Sequence, residues 1–148
     1  MSTPDEKAKA LGVTFTKPEK RPFLNKSARL GNVYHTSGHV SKQVGKLGAD
    51  LTTEQGYQAA REAMIDVLSS VAAENGTLNN LRVVKLLGCV NATQDFQDCS
   101  GVINGASHVV HEIFGTEEAG HHARSALGFA TLPFGFAVEV EAILEIVS

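Results

Sequence analysis

Arg124 is the residue of this sequence whose surroundings most directly suggest chemistry. It is the only lysine or arginine after Lys85, and it lies within the largely apolar stretch HHARSALGFATLP, residues 121–133. A guanidinium stays charged and presents paired planar donors, a geometry that suits a carboxylate. Because a buried charge without a partner is costly, Arg124 must meet an anion that comes either from the protein or from a ligand.

The stretch 123–132 is predicted to be a β-strand, in which alternate residues share a face. The face of Arg124 would then hold small or aliphatic side chains, namely Ala126, Gly128, Ala130 and Leu132, which leave room for a ligand beside the guanidinium. The opposite face could fill a core with Ser125, Leu127, Phe129 and Thr131. Two interpretations stay open: Arg124 binds a ligand carboxylate, or it pairs with Glu139 or Glu141 on an adjoining strand of a hairpin.

Two helices are predicted from apolar residues that recur at intervals of three and four. The first begins at a capping box of Thr52 and Gln55 and ends at Asn75-Gly76. The second contains Val102 to Phe114 and ends at Gly115. Strands are expected near 32–37, over 81–90 (buried on both faces), over 123–132, and over 136–147 after a PFG turn, with loop-like residues at 41–50.

This order of elements predicts an α+β fold, in which two helices pack on one face of a mixed sheet. Two helices cover only one face of such a sheet. The other face must then be solvated or covered by other subunits, so a homo-oligomer is expected.

Length and composition predict a single domain over residues 22–148, preceded by a polar segment at residues 1–21. No apolar run approaches the roughly 20 residues that span a bilayer, so no membrane association is expected. The first residues lack the apolar core of a secretory signal, and the two cysteines do not form a disulfide framework. These features predict a cytoplasmic protein with reduced thiols.

Charge and histidine spacing bear on partners and cofactors. Residues 1–29 hold seven Lys/Arg and three Asp/Glu, whereas residues 30–148 hold six Lys/Arg and thirteen Asp/Glu. The body of the chain is therefore acidic and does not favour binding of nucleic acid.

His108 and His111 are three residues apart and His121-His122 follow, but no carboxylate–histidine pattern completes a metal site. Neither a metal nor an organic cofactor is predicted.

Four motifs resemble those of the YjgF/Rid family in order and spacing. They are YHTSGHV, Asp95-Phe96, ARSALGFATLP and VEVEAI, and the match extends over residues 22–147. The resemblance implies a chorismate-mutase-like sandwich, a homotrimer, and clefts between subunits that bind a small carboxylate substrate. It also implies hydrolytic deamination of reactive 2-imino and 2-enamino acids to 2-keto acids and ammonia. The alternatives are a non-catalytic binder of keto acids and an RNA-directed translation inhibitor or endoribonuclease.

The same resemblance assigns roles to residues of this sequence by position. Arg124 matches the arginine that binds the substrate carboxylate, and Glu139 matches the glutamate that positions or activates water. Ser37 would line the cleft, and Phe23 would close it from the neighbouring subunit. Asn104 matches an asparagine at the entry of the second helix.

Three positions depart from the family pattern. Ala126 stands where a cysteine is frequent, which leaves no thiol for chemistry there, although its backbone and shape would still line the substrate pocket. His39 replaces a glutamine after Ser-Gly. His122 replaces a proline before Ala-Arg, and we expect it to line the cleft close to Arg124.

Overall fold

The computed structural model describes residues 1–17 and 20–148. Helices and strands follow one another in the order α1 (Pro4–Ala10), β1 (Ser27–Leu30), β2 (Val33–Thr36), β3 (His39–Val40), α2 (Thr53–Asn75), β4 (Leu81–Asn91), α3 (Cys99–Phe114), β5 (Ala123–Phe129) and β6 (Val138–Ile146). None of these helices has the length and apolar character needed to cross a membrane.

The strands form one mixed sheet in the order β1-β2-β6-β4-β5, with β3 also paired to β6. Only β4 and β5 run parallel, and the other pairs are antiparallel. Helix α3 makes the crossover between the two parallel strands, as a parallel connection requires. The predicted α+β fold with a mixed sheet is confirmed.

The two long helices form where the sequence predicts them and pack on one face of the sheet. Thr52 and Gln55 make the predicted capping box, and Gly76 ends α2 in the left-handed conformation with φ 81°. A Cβ added to Gly105 on α3 would lie 2.1 Å from the carbonyl oxygen of Tyr57, so glycine permits the close approach of the two helices. The shared core includes Met64 and Leu68 of α2 together with Ile103 of α3.

The other face of the sheet is open in the single chain. The prediction that residues 81–90 are buried on both faces is therefore wrong, since the outward Val84 of β4 remains 37 % exposed. Leu127 and Phe129 of β5 also lie on this face, 48 % and 39 % exposed, so they do not fill a core within one chain as predicted. Exposed apolar side chains on a sheet face are typical of a surface that another subunit covers.

The hairpin predicted between residues 123–132 and 136–147 is also wrong. Strand β4 lies between β5 and β6 and pairs with both. The segment Pro133–Gly135 does turn the chain, as a short 3₁₀ helix, but it leads to a strand that is not adjacent to β5. The two strands share an alternating pattern that permits either arrangement, and the α3 crossover selects the parallel partner for β5.

The polar start of the chain contains an element that the sequence analysis missed. Thr3 and Glu6 form a capping box at α1. The carboxylate of Asp5 accepts hydrogen bonds from the Leu78 amide at 2.6 Å and the Thr77 hydroxyl at 2.7 Å. Ala8 and Val13 are buried in the main core. Helix α1 has only seven residues, which are too few to show a clear apolar period in the sequence.

Candidate functional site

Arg124 lies on the edge strand β5, and its guanidinium points towards helix α3. Its Cα is paired with that of Leu86, whose side chain is fully buried beneath the helices. Nη1 donates to Asn104 Oδ1 at 2.8 Å and to Ser107 Oγ at 3.3 Å. Both acceptors are neutral groups on α3, so they orient the guanidinium without neutralising its charge.

No carboxylate neutralises Arg124 within the part of the chain that the structure describes. The ion pairs there join Arg61 to Glu112 at 2.8 Å and Arg82 to Glu145 at 2.5 Å. The predicted alternative, an ion pair of Arg124 with Glu139 or Glu141 on an adjoining strand, is wrong because β4 separates β5 from β6. Arg124 is a half-buried cation that still requires an anion.

His122 reaches Arg124 through Ser107. The His122 Nδ1 atom lies 2.7 Å from the carbonyl oxygen of Gly120, and Nε2 lies 2.9 Å from Ser107 Oγ. A carbonyl oxygen only accepts, so Nδ1 carries the ring proton and Nε2 accepts the Ser107 hydroxyl proton. Burial lowers the pKa of His122. The hydrogen bond to Gly120 raises this pKa, but the positive charges of His111 and Arg124 lower it further. The ring is therefore held neutral.

Ala126 follows Arg124 on the same face of β5. It pairs with Gly88 of β4 and packs half-buried against the core. A cysteine is absent from this position, and the small methyl group leaves space beside the guanidinium. The predicted sharing of a face by Arg124 and Ala126 is confirmed, and this face is the one that α3 covers.

Glu139 and Ser37 lie together at a second location. A Cβ added to Gly38 would lie 2.7 Å from Glu139 Cδ, so the Ser37-Gly38 turn closes directly over the carboxyl group. Burial raises the pKa of the Glu139 carboxyl, and neighbouring Glu141 raises it further. The Ser37 hydroxyl donates to the Asn25 carbonyl at 2.6 Å. A carboxylate with a raised pKa is a stronger base, which suits proton transfer from water.

These two locations are on opposite faces of the sheet. Glu139 pairs with Cys89 of β4, which in turn pairs with Leu127 of β5, so Glu139 shares the open face with Leu127. Arg124 stands three residues before Leu127 and therefore points the other way. Phe23 is 97 % exposed and belongs to neither group within one chain.

Ser107 is the residue of this site that the sequence analysis missed. It follows Asn104 by three positions on α3, a spacing that places both side chains on one face of a helix. That spacing could have indicated it once Asn104 was singled out. A small serine within an apolar helix gave no other signal.

His39 has a structural position behind the Ser37-Gly38 turn. Its Nδ1 lies 2.8 Å from the Ser37 carbonyl oxygen and its Nε2 lies 2.7 Å from Ser70 Oγ of α2. Burial lowers the pKa of His39. The side chain thus ties β3 to α2 and fixes the backbone of the turn that covers Glu139.

Histidines near Arg124 do not combine into a metal centre. The rings of His108, His111 and His122 follow one another with centroid separations of 6.3 and 5.5 Å. Over residues 1–17 and 20–148, no three His, Cys, Asp or Glu side chains converge as metal ligands would.

Comparison with known proteins places the fold in a family. The sequence profile of the family described as "YjgF/chorismate mutase-like, putative endoribonuclease" matches residues 25–144. Protein TCP17 of Trypanosoma cruzi is 45 % identical in an alignment of 123 residues that covers 78 % of this chain and 76 % of that protein.

Two crystal structures cover nearly the whole chain. Protein Atu1372 of Agrobacterium tumefaciens, of unknown function, has a TM-score of 0.85 at 33 % identity and aligns over 99 % of this chain and 93 % of its own. A protein from Shewanella oneidensis MR-1 named "putative endoribonuclease" has a TM-score of 0.87 at 26 % identity. It aligns over 98 % of this chain and 100 % of its own. The extent of the profile match and of these likenesses shows that the chain belongs to the YjgF/chorismate mutase-like family.

Proposed function

We propose that this protein hydrolyses reactive 2-imino acids, the tautomers of 2-enamino acids, to 2-keto acids and ammonia. The observation that supports the proposal is the state of Arg124, whose guanidinium is oriented by Asn104 and Ser107 but has no carboxylate among the described residues within 4 Å. A small carboxylate is the ligand that this arrangement fits best.

The proposed active site lies between two copies of the chain in a homotrimer. Because Arg124 and Glu139 project from opposite faces of the sheet, one chain cannot direct both towards a single small substrate. Arg124 stands on the edge strand, and the exposed Leu127 and Phe129 favour a second copy packing against the open face. We therefore place Arg124 and Asn104 on one subunit and Glu139, Ser37 and Phe23 on its neighbour.

The reaction requires water, proton transfer and orientation. Arg124 binds the substrate carboxylate and thereby fixes the imine carbon next to a water molecule. Glu139 takes a proton from that water as the water oxygen bonds to the imine carbon, and it delivers this proton to the nitrogen as the C=N double bond becomes a single bond. Glu139 then moves the proton of the new hydroxyl group to the nitrogen, the C–N bond breaks to release ammonia as the C=O bond forms, and the Glu139 carboxylate is again unprotonated. Water and imine are consumed, and keto acid and ammonia are released.

The test generates 2-aminoacrylate in the assay with a pyridoxal-dependent dehydratase and follows keto-acid formation. Wild type should accelerate the reaction over buffer, Arg124→Ala should lower kcat/KM about 100-fold, and Glu139→Gln should chiefly lower kcat. Glu145→Gln, on the same strand as Glu139, is the matched control and should behave as wild type. The absence of acceleration by well-folded wild type would refute the proposal.

A non-catalytic binder of keto acids is the second candidate, because Arg124 could hold a carboxylate without any contribution from Glu139. It would be favoured if 2-oxobutanoate raised the thermal stability of wild type but not of Arg124→Ala, with no acceleration of imine hydrolysis. The endoribonuclease activity in the family description has weaker support, since residues 30–148 carry thirteen acidic against six basic side chains. RNA cleavage that survives Arg124→Ala and repeated purification would favour the endoribonuclease over both the deaminase and the keto-acid binder.

A further inference from the structure

Ser107 and His122 determine which donors of Arg124 are free, and this inference rests on the proposed binding of a carboxylate at that residue. A guanidinium carries five N–H groups, two of them on Nη1. Nη1 donates to two acceptors on α3, Asn104 Oδ1 at 2.8 Å and Ser107 Oγ at 3.3 Å. Among the residues that the structure describes, Nε–H and the two Nη2–H groups have no acceptor and therefore remain for a ligand.

The three remaining donors define an edge of the guanidinium. Nε–H and one Nη2–H point in parallel, the fork that binds both oxygens of a carboxylate at once. The opposite fork, formed by Nη1 and Nη2, is unsuitable because Nη1 is already engaged on α3. A ligand carboxylate should consequently bind side-on, at the Nε–Nη2 edge.

The direction of the Ser107 hydroxyl proton makes this arrangement possible. A serine in a helix commonly donates to a backbone carbonyl one turn earlier, but the Ser107 hydroxyl donates to His122 Nε2 at 2.9 Å. The oxygen lone pairs are then free to accept from Arg124. The carbonyl of Gly120, 2.7 Å from His122 Nδ1, fixes the tautomer that leaves Nε2 as an acceptor.

We propose that Ser107 and His122 are positioning residues that lock Nη1 of Arg124 against α3 and so present its Nε–Nη2 edge to the carboxylate of the substrate. Neither side chain touches the substrate in this arrangement. His122 acts on Ser107, Ser107 acts on Arg124, and only Arg124 binds the ligand. The earlier expectation that His122 lines the cleft is replaced by this indirect role.

A positioning role predicts a specific pattern of kinetic effects. In the Ser107 variant a substrate that does bind is still held and oriented by the Arg124 guanidinium, so the loss falls on binding and is shared by the ground state and the transition state. Ser107→Ala should therefore raise KM for the imine, and Kd for 2-oxobutanoate, about tenfold with little change in kcat. Ser69→Ala, a serine on α2 bonded to Thr14 and Ile65, is the matched control and should change neither value.

Two further comparisons separate positioning from general structural damage. In a double-mutant cycle, Ser107→Ala should have no additional effect on 2-oxobutanoate binding once Arg124→Ala is present. His122→Gln keeps an oxygen that can accept from Ser107 and should bind nearly as wild type, whereas His122→Leu should weaken binding about threefold. Thermal unfolding of each variant checks that the fold is retained.

The measurement is titration calorimetry with 2-oxobutanoate, together with ¹⁵N NMR of the histidine rings. NMR should show His122 protonated at Nδ1 and unprotonated at Nε2. Equal affinity of wild type and Ser107→Ala would overturn the inference, as would an Nε2–H tautomer or no measurable binding by wild type. If wild type and the variants show the expected affinities but no imine hydrolysis occurs, the positioning role stands and only the proposed deaminase activity fails.

Discussion

Arg124 and Glu139 project from opposite faces of the same sheet. Arg124 pairs with Leu86 of β4, which pairs in turn with Ala142 of β6, and these three lie on the helix-covered face, whereas Glu139 pairs with Cys89 on the open face. Two residues that are proposed to act on one small substrate are thus separated by the backbone of their own chain. The proposed chemistry therefore depends on association between copies of the chain, and this dependence can be tested directly.

Mixed oligomers of two inactive variants should regain activity. Arg124 of one subunit and Glu139 of the next are proposed to form one site. A trimer that contains both Arg124→Ala and Glu139→Gln chains then includes sites in which both residues are intact. Random assortment after joint refolding at equal amounts restores about one quarter of the sites. Keto-acid formation is measured before and after mixing, with each variant refolded alone as control. Activity that does not rise above the separate variants would contradict the shared site.

Introducing a charge on the open face should separate the subunits. Leu127 is 48 % exposed in the single chain, so Leu127→Glu leaves the monomer core intact but places a carboxylate where a subunit is expected to pack. Sedimentation should show a shift from trimer to monomer, with loss of imine hydrolysis and retained helical circular dichroism. Gln58→Glu, which adds the same charge at an exposed position of α2 on the helix-covered side of the sheet, is the control and should remain trimeric.

Gly38→Ala should impair Glu139 selectively. The added Cβ would lie 2.7 Å from Glu139 Cδ, so the carboxyl group must move out of its position under the turn. Because water activation depends on that position, we expect kcat to fall about tenfold with KM nearly unchanged. Steady-state kinetics with 2-aminoacrylate measure both values. Gly31→Ala offers a contrast, since apart from its chain neighbours no described residue lies within 4 Å of its added Cβ, and its strain comes from a φ of 58°.

Stability should decrease in mildly acidic solution because of the buried histidines. Burial lowers the pKa of His39 and His122 in the folded chain. Above the pKa of an unfolded histidine, about 6.5, both rings are neutral and their contribution to stability is fully present. This contribution is lost as pH falls towards the lower pKa of the folded state. The free energy of unfolding in urea should differ less between pH 7.5 and pH 5.5 for His39→Gln than for wild type. An unchanged difference would exclude His39 as a source of the effect.

Gly105→Ala should strongly destabilise the fold. Its Cβ would lie 2.1 Å from the Tyr57 carbonyl oxygen, a backbone atom that cannot move without separating α2 from α3. We expect a loss of about 3 kcal/mol in the free energy of unfolding. Chemical denaturation measures this loss. Gly76→Ala strains a φ of 81°, but apart from its chain neighbours its Cβ meets no described residue within 4 Å, so it should cost less.

The sequence by itself determined the features that depend on neighbours along the chain. The capping box of Thr52 and Gln55, the ends of α2 and α3 at glycines, and the shared face of Arg124 and Ala126 all follow from short-range periods and hydrogen bonds. The family motifs around Ser37, Arg124 and Glu139 likewise lie within short segments. They allowed the fold class and the role of Arg124 as a carboxylate ligand to be proposed before the structure.

Only the tertiary structure decided which strands are neighbours and which face of each looks towards the helices. Alternation shows that Arg124 and Leu127 point in opposite directions, but it carries no information about which of them meets α3. That choice depends on the crossover that places β5 beside β4 rather than β6, a contact between segments distant in sequence. The same crossover brings Ser107 and His122 to Arg124, and it assigns Arg124 and Glu139 to opposite faces.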